Sequence, residues 1–148
     1  MSLNERIDND LKSAMKSSDK IRLQTIRSIR ALILEFEKSG SNKILTPEVE
    51  ISMLSTAVKR RKESIEEFRK AGREDLVKKE EDELKILLEY LPAQLSEEEI
   101  FTKVKQIAEE IGATGKADFP KLMPVAIARL KGLADGKIIR QVAEKILS

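Results

Sequence analysis

The sequence predicts an all-α protein with an N-terminal four-helix bundle, residues 1–92, and a smaller C-terminal three-helix bundle, residues 93–148. Three observations support this fold class. Of the 148 residues, 36% are charged and 41% apolar, with only 6 Gly and 4 Pro, which is typical of long amphipathic helices. Apolar residues recur every three or four positions in each long segment. The alternation that marks strands is not found in any segment of the sequence, and neither is an internal repeat.

Helix signals in the N-terminal half place four helices at about residues 3–16, 19–38, 47–70 and 74–90. Asp19 is a suitable N-cap for the second helix, and Ser39-Gly40-Ser41-Asn42 is the breaker that ends it. Thr46-Pro47-Glu48 gives the third helix an N-cap, a proline at its first position and an acidic residue facing the helix dipole. Ala71-Gly72 separates the third helix from the fourth.

A charged residue interrupts the apolar seam of each of the last two helices in this half. Arg61 stands between the apolar positions Val58 and Ile65, and Glu80 or Glu81 fills the corresponding gap in the fourth helix. Folding the two helices into a hairpin about Gly72 brings Arg61 level with residues 80–84. We therefore expect an ion pair of Arg61 with Glu80 or with Glu83, which fixes the register of the hairpin rather than performing catalysis.

The C-terminal part contains signals for three more helices. Ser96-Glu97-Glu98-Glu99 is a capping box, and the helix that it opens ends at Gly112. Residues 113–119 are expected to form a loop. The stretch from 118 to 131 contains Pro120 and Pro124, so its helix is either kinked or begins late, near Pro124. Gly132 should end that helix, and Asp135 should start the last one.

The composition excludes several classes of site. The chain has no Cys and no His, so it lacks the usual ligands of zinc, iron–sulfur and haem sites and the usual thiol nucleophiles and imidazole bases. It contains no phosphate-binding loop, dinucleotide-binding fingerprint or nucleophile elbow. We expect no metal, no cofactor and no catalytic residue. The first residues lack the apolar core of a signal peptide and no apolar run reaches 18 residues, so we expect a cytoplasmic protein without a membrane segment.

Charge is distributed unevenly along the chain, although the net charge is only +2. The segments 12–30, 63–99 and 116–140 carry net charges of +5, −7 and +4. Two basic segments thus flank an acidic one, which indicates a dipolar surface.

Two passages of the sequence resemble a known family. The first combines Arg60-Arg61-Lys62-Glu63-Ser64-Ile65, Arg73-x-Asp75-Leu76, Glu80-x-x-Glu83 and Tyr90-Leu91-Pro92; the second runs from Lys121-Leu122-Met123 to Lys131-Gly132-x-Ala134-Asp135-Gly136-Lys137. Together they are similar to the YqeY family over essentially the whole chain. The second passage also resembles the tail of GatB, a subunit of the tRNA-dependent amidotransferase. The chain differs from the family at Pro120 and Pro124, where small residues are usual.

The resemblance implies a larger helical bundle joined to a smaller C-terminal three-helix bundle. It also implies a link to tRNA, because the tail of GatB recognises the tRNA elbow. The catalytic chemistry of GatB belongs to a different domain, which this chain lacks.

The turn at residues 132–137 is the strongest candidate for a binding site. Gly132 and Gly136 allow close backbone approach, and Lys137 lies in the first turn of a helix whose free N–H groups suit a phosphate. A purely structural interpretation is equally physical, with Gly132 ending one helix and Asp135 capping the next. The basic residues expected to cluster around this turn are Lys121, Arg129, Lys131, Lys137 and Arg140.

Three functional hypotheses follow. The first is a module without its own active site that binds tRNA or tRNA-handling proteins, recognising folded RNA by its backbone because aromatic residues are few. The second is a protein–protein adaptor that uses the acidic face of residues 63–99. The third, by kinship with the amidotransferase subunit, is carbon–nitrogen ligase activity with glutamine as the amide donor.

Overall fold

The computed structural model describes residues 1–40 and 44–148, and its regular structure is entirely helical. No β-strand occurs in the described ranges, which confirms the predicted all-α class. The helices are α1 (Leu3–Ser17), α2 (Lys20–Lys38), α3 (Pro47–Lys70), α4 (Glu74–Leu88), α5 (Glu97–Ile111), α6 (Phe119–Arg129) and α7 (Gly136–Leu147). Ser41 and Asn42 of the predicted breaker lie outside the described residues, whereas Ser39 caps the C-terminus of α2.

The helices begin where side chains satisfy their free N–H groups. Asp19 Oδ1 accepts a hydrogen bond from Arg22 N at 3.1 Å, and Thr46 Oγ1 accepts one from Val49 N at 3.3 Å. At the start of α5 the capping box is complete, since Ser96 N donates to Glu99 Oε1 at 3.0 Å and Glu99 N donates to Ser96 Oγ at 3.1 Å. Each such cap stabilises its helix by about 1 kcal/mol.

The chain divides into two compact units, Met1–Leu91 and Pro92–Ser148. In the first unit α1 packs on α2, and α4 packs on both α2 and α3. Its core contains fully buried aliphatic side chains, among them Ile7, Ile26, Ile29, Ile33, Leu54 and Leu87. The expectation that α1 to α4 form a four-helix bundle stays a prediction.

The second unit has a separate core formed by α5, α6 and α7. Its fully buried side chains include Ile100, Val104, Leu122, Ile139 and Val142. Since the buried positions on α7 follow a helical spacing, one face of α7 lies in the core and the other carries its charged residues. The core thus determines which side chains of α7 reach solvent.

The sixth helix does not begin late. It begins at Phe119 after a short 3₁₀ turn at Lys116–Asp118, with Pro120 in its first turn and Pro124 inside it. Pro120 is tolerated because the first N–H groups of a helix have no intrahelical partner. Pro124 lacks the N–H that would reach the carbonyl of Pro120, so the helix continues with one hydrogen bond fewer. A start near Pro124, one of the two predicted alternatives, is therefore wrong.

Candidate functional site

The turn between α6 and α7 closes through a left-handed glycine. Leu130 caps the C-terminus of α6, and Gly132 adopts a φ of +79°. Leu133 N and Ala134 N both donate to Leu130 O, at 2.9 and 3.2 Å. Because a positive φ strains any residue with a Cβ, this turn requires glycine at 132 for its backbone conformation.

A segment preceding α5 holds this turn in place. Gln94 Nε2 donates to Gly132 O at 2.8 Å, and Leu95 N donates to Leu133 O at 2.9 Å. Gly132 is itself buried. Two hydrogen bonds from a different part of the unit therefore fix the turn, so that the residues beside it project from a rigid support.

The beginning of α7 is capped from within the chain. Asp135 Oδ1 accepts from Lys137 N at 2.9 Å, and Asp135 O accepts from Ile138 N and Ile139 N at 3.1 Å each. The carboxylate thus occupies the place that a phosphate would take at this helix end, and its charge repels an anion. The capping role expected for Asp135 is present, and a phosphate has to be bound by side chains rather than by the end of α7.

Four of the five predicted cations, all except Lys131, are engaged by neighbouring groups. Arg129 Nη1 lies 2.5 Å from Glu110 Oε2, and Lys121 Nζ donates to Ile111 O at 2.9 Å. Arg140 Nε lies 3.4 Å from Glu144 Oε1, and the guanidinium stands 6.0 Å from the centroid of the Phe119 ring. These contacts are exposed, so each contributes about 0–1 kcal/mol to the stability of the fold. A phosphate could therefore take the place of the present partner of each cation.

Lys131 and Lys137 flank the fixed turn along the chain. Lys131 is exposed and forms no hydrogen bond or ion pair with a described residue. Lys137 is exposed at the second position of α7. Between them Gly136 is also exposed, and a Cβ added there would meet no atom within 4 Å. Lys137 thus follows an exposed glycine directly, and Lys131 stands at the start of the same turn.

A sixth cation was missed by the sequence analysis. Lys116 lines a cleft of about 520 Å³ together with Phe119, Arg140, Glu144 and Leu147. Its position in the segment predicted as a loop gave no indication of its neighbours. The short 3₁₀ turn places it beside α7, close to Arg140.

The predicted ion pair of the helical hairpin involves both candidate carboxylates at once. Arg61 Nη1 lies 3.2 Å from Glu80 Oε2 and 2.5 Å from Glu83 Oε2. Its Nη2 donates to Ser28 Oγ at 3.1 Å, a contact that the sequence did not suggest. The arrangement links α2, α3 and α4. Its structural role stays a prediction.

Local cations pair with much of the acidic segment considered for an adaptor. Arg69 contacts Glu81 at 2.8 Å, and Arg73 contacts Asp75 at 3.2 Å. The hydrogen bond from Arg73 lowers the pKa of the Asp75 carboxyl below its usual value. Lys78 lies 3.8 Å from Asp82. These three cations belong to the same segment, so its net charge of −7 already includes them.

The described residues contain neither a cluster suited to a metal ion nor a helix suited to a membrane. Among the described residues, no group of three or more acidic side chains is arranged to hold a metal ion. Within the same ranges, every helix is too short or too polar to cross a membrane.

Comparison with known proteins assigns the chain to a family. A family model described as "Yqey-like protein" matches residues 4–147. The chain belongs to the YqeY family. The resemblance seen in the sequence is thereby confirmed, and the match covers both compact units of this YqeY protein.

Three curated relatives of this YqeY protein carry the same name. A protein from Pyrenophora tritici-repentis, called altered inheritance of mitochondria protein 41, mitochondrial, is 35% identical over 146 residues, which is 96% of this chain and 79% of the relative. Proteins of the same name from Kluyveromyces lactis and Lachancea thermotolerans are 38% and 39% identical over 71% of this chain. The chain spans only 58% and 57% of the length of these two relatives.

The names of these relatives correct one expectation. All three are named as mitochondrial proteins. The expected cytoplasmic location is therefore contradicted. It had been inferred from the absence of a signal peptide and of long apolar runs, and these features do not distinguish the cytoplasm from an organelle interior.

Proposed function

We propose that this YqeY-family protein is an accessory module that binds folded RNA, with tRNA as the first candidate, through its C-terminal unit. The observation that supports the proposal is the fixed turn at residues 130–136, which has the exposed Lys131 near its start and the exposed Gly136 and Lys137 at its end. Two cations held at a rigid corner suit neighbouring phosphates of a nucleic-acid backbone.

The electrostatics predict weak binding that responds strongly to salt. The segment from 92 to 148 contains nine basic and eight acidic residues, so it has no large positive field. Lys131 and Lys137 supply two phosphate contacts. Arg129 and Arg140 add up to two more if a phosphate replaces Glu110 or Glu144 as their partner, which costs little at exposed positions.

Recognition of a folded RNA fits the side chains better than stacking on single-stranded bases. Of the four Phe residues, two lie in this unit: Phe119 is half-buried beside Arg140, and Phe101 on α5 is exposed, so a row of stacking rings is not present among the described residues. The choice of tRNA rests on the resemblance of residues 121–137 to the tail of the amidotransferase subunit. No observation supports ligase chemistry by this chain, and the adaptor hypothesis stays an alternative, because the acidic segment keeps its net charge of −7 with these ion pairs counted.

A fluorescence anisotropy titration tests the proposal. The pure protein is titrated against labelled tRNA at about 50 and 200 mM salt, with an unrelated RNA hairpin as the control. Mitochondrial tRNA is included because the relatives are named as mitochondrial proteins. Two to four phosphate contacts predict that log K falls with log salt with a slope of about −2 to −4. Absence of saturable binding to tRNA at the lower salt would rule out the proposal.

A further inference from the structure

An apolar groove lies between α2 and α3 in the first unit. Each of these helices packs on α4, but they do not pack closely on each other along their length. The space between them is a groove of about 600 Å³. Six of the residues that line it are Ser28, Leu32, Phe36, Val49, Met53 and Ala57.

The hydrogen bond between Arg61 and Ser28 sets the order of residues along the groove. The lining residues follow Ser28 along α2 and precede Arg61 along α3, so the two helices run in opposite directions. Counting turns of each helix from this contact puts Leu32 level with Ala57, and Phe36 level with Met53. Ser39 then stands opposite Val49 at the far end. From residue 28 to residue 39 the groove follows eleven residues of α2, or about 17 Å. Its length matches about three turns of a helix.

The two ends of the groove carry opposite charges. Arg60 lies at the end near Ser28, and Glu35 lies towards the end near Ser39. Both are exposed, and neither forms an ion pair or side-chain hydrogen bond with a described residue. Arg61 is already held by Glu80 and Glu83, so Arg60 is the groove cation left to meet an incoming charge.

The described helices of this chain do not provide a suitable occupant. The large exposed apolar side chains in the described ranges are Met1, Met15, Ile21, Leu34, Ile44, Phe101 and Ile127. Only Ile21 and Leu34 share a helix, and thirteen positions separate them, which places them on different faces. A helix that fills the groove needs apolar residues at i, i+4 and i+7. A second copy of the described chain presents no such stripe.

We propose that this groove binds an amphipathic helix of a partner protein. The helix inserts large apolar side chains at i, i+4 and i+7 between Leu32 and Phe36 on one wall and Met53 and Ala57 on the other. An acidic residue of the partner faces Arg60, and a basic residue faces Glu35. This interaction uses the first unit and is independent of RNA binding by the second.

Two synthetic helical peptides test the proposal. Each has about 14 residues with leucine at i, i+4 and i+7. One has glutamate at its N-terminal end and lysine at its C-terminal end; the other has these charges exchanged. Binding is followed by the amide NMR shifts of the groove residues and by titration. Because the side chains of a helix lean towards its N-terminus, the leucine stripe fits the groove better in one direction than in the other. In that direction only one peptide places both charges opposite their complements, and it is expected to bind at least about threefold more tightly than the other.

Protein variants decide whether the groove is responsible. The exchange Glu35→Lys with Arg60→Glu alters only exposed side chains, and it should reverse the preference between the two peptides. Ala57→Phe fills the groove and should abolish the binding of both peptides. If Ala57→Phe does not fold, the variant with exchanged charges still tests the proposal. Absence of shifts at groove residues, or a preference that the exchange does not reverse, would overturn the proposal. So would a wild-type dimer that Phe36→Glu dissociates, because the occupant would then be a second copy.

Discussion

Arg61 Nη1 lies 2.5 Å from Glu83 Oε2, and Glu83 is only 4% exposed. A buried carboxylate requires a partner, because removing its hydration without replacement costs several kcal/mol. The same guanidinium also reaches Glu80 on α4 and Ser28 on α2. One side chain of α3 thereby satisfies polar groups of two neighbouring helices.

Replacing Arg61 should destabilise the protein strongly. Arg61→Met leaves Glu83 buried without its charge partner, and we expect the free energy of unfolding to fall by about 2–4 kcal/mol. The double variant Arg61→Met/Glu83→Leu removes both charges and should recover most of this loss. Urea denaturation followed by circular dichroism measures both variants. A single variant that unfolds at the same urea concentration as the wild type would show that the pair does not stabilise the hairpin.

Tyr90 should resist ionisation until the protein unfolds. Burial raises the pKa of the Tyr90 phenol, and its hydrogen bond to Asp10 Oδ2 at 2.5 Å raises that pKa further. Arg6, 4.4 Å from the ring centroid, opposes this effect only in part. The unfolded chain has the ordinary value of about 10, so stability should fall as the pH rises above about 10.

The chain is suited to this measurement, since it contains one Tyr and no Trp. Tyrosinate absorbance should appear together with the loss of helical circular dichroism, and Asp10→Asn should bring ionisation to lower pH. Ionisation near pH 10 in a fully helical protein would contradict the prediction.

Two carboxylates should contribute to the acid stability of the second unit. Hydrogen bonds from Ser96 lower the pKa of Glu99, and those from Thr114 N and Gly115 N lower the pKa of Asp118. A lowered pKa in the folded state adds stability that is present above the unfolded value, about 4, and is lost as the pH falls through the folded value. Glu99→Gln and Asp118→Asn should therefore flatten the fall in melting temperature between about pH 5 and 2. Glu109→Gln is the control. If Glu109→Gln reduced the fall in melting temperature by the same amount, the prediction would be contradicted.

The two glycines beside the basic turn should respond differently to alanine. Gly132 has a φ of +79°, so Gly132→Ala should lower the free energy of unfolding by about 1–2 kcal/mol. Gly136 has no atom near its added Cβ and lies in the first turn of α7, so Gly136→Ala should leave stability unchanged or raise it slightly. If the RNA backbone approaches Gly136, this variant should nevertheless weaken tRNA binding. Normal tRNA affinity of Gly136→Ala would remove that glycine from the interface.

Local signals predicted the helices well. The caps at Asp19, Thr46 and Ser96 are present because each depends on side-chain and backbone groups only a few residues apart. The inward face of α4 does not follow from its apolar residues alone. Glu83, Ile86 and Leu87 are buried, whereas Leu84 and Leu88 are only partly buried. Arg61 explains the difference, because it lies beside Glu83 and makes a carboxylate acceptable at a core position.

The candidate site could be predicted only in part. The sequence identified the basic residues near the turn, since they are close along the chain. It did not show that Glu110 pairs with Arg129 or that Gln94 holds Gly132, because both contacts join residues distant in sequence. The apolar groove also escaped prediction, because Leu32, Phe36 and Met53 have the spacing of ordinary core residues. The groove exists because α2 and α3 both pack on α4 and not closely on each other, which only the folded structure shows.

The most direct test of the central claim is a charge reversal of the two lysines beside the turn. Lys131→Glu/Lys137→Glu is compared for tRNA affinity with Lys103→Glu/Lys105→Glu, which makes the same charge change at exposed positions of α5. We expect Lys131→Glu/Lys137→Glu to lose tRNA binding and to keep the melting temperature of the wild type. The control should retain most of its affinity and the salt dependence of the wild type. An equal loss of affinity in both variants, or none in the first, would contradict RNA binding at this turn.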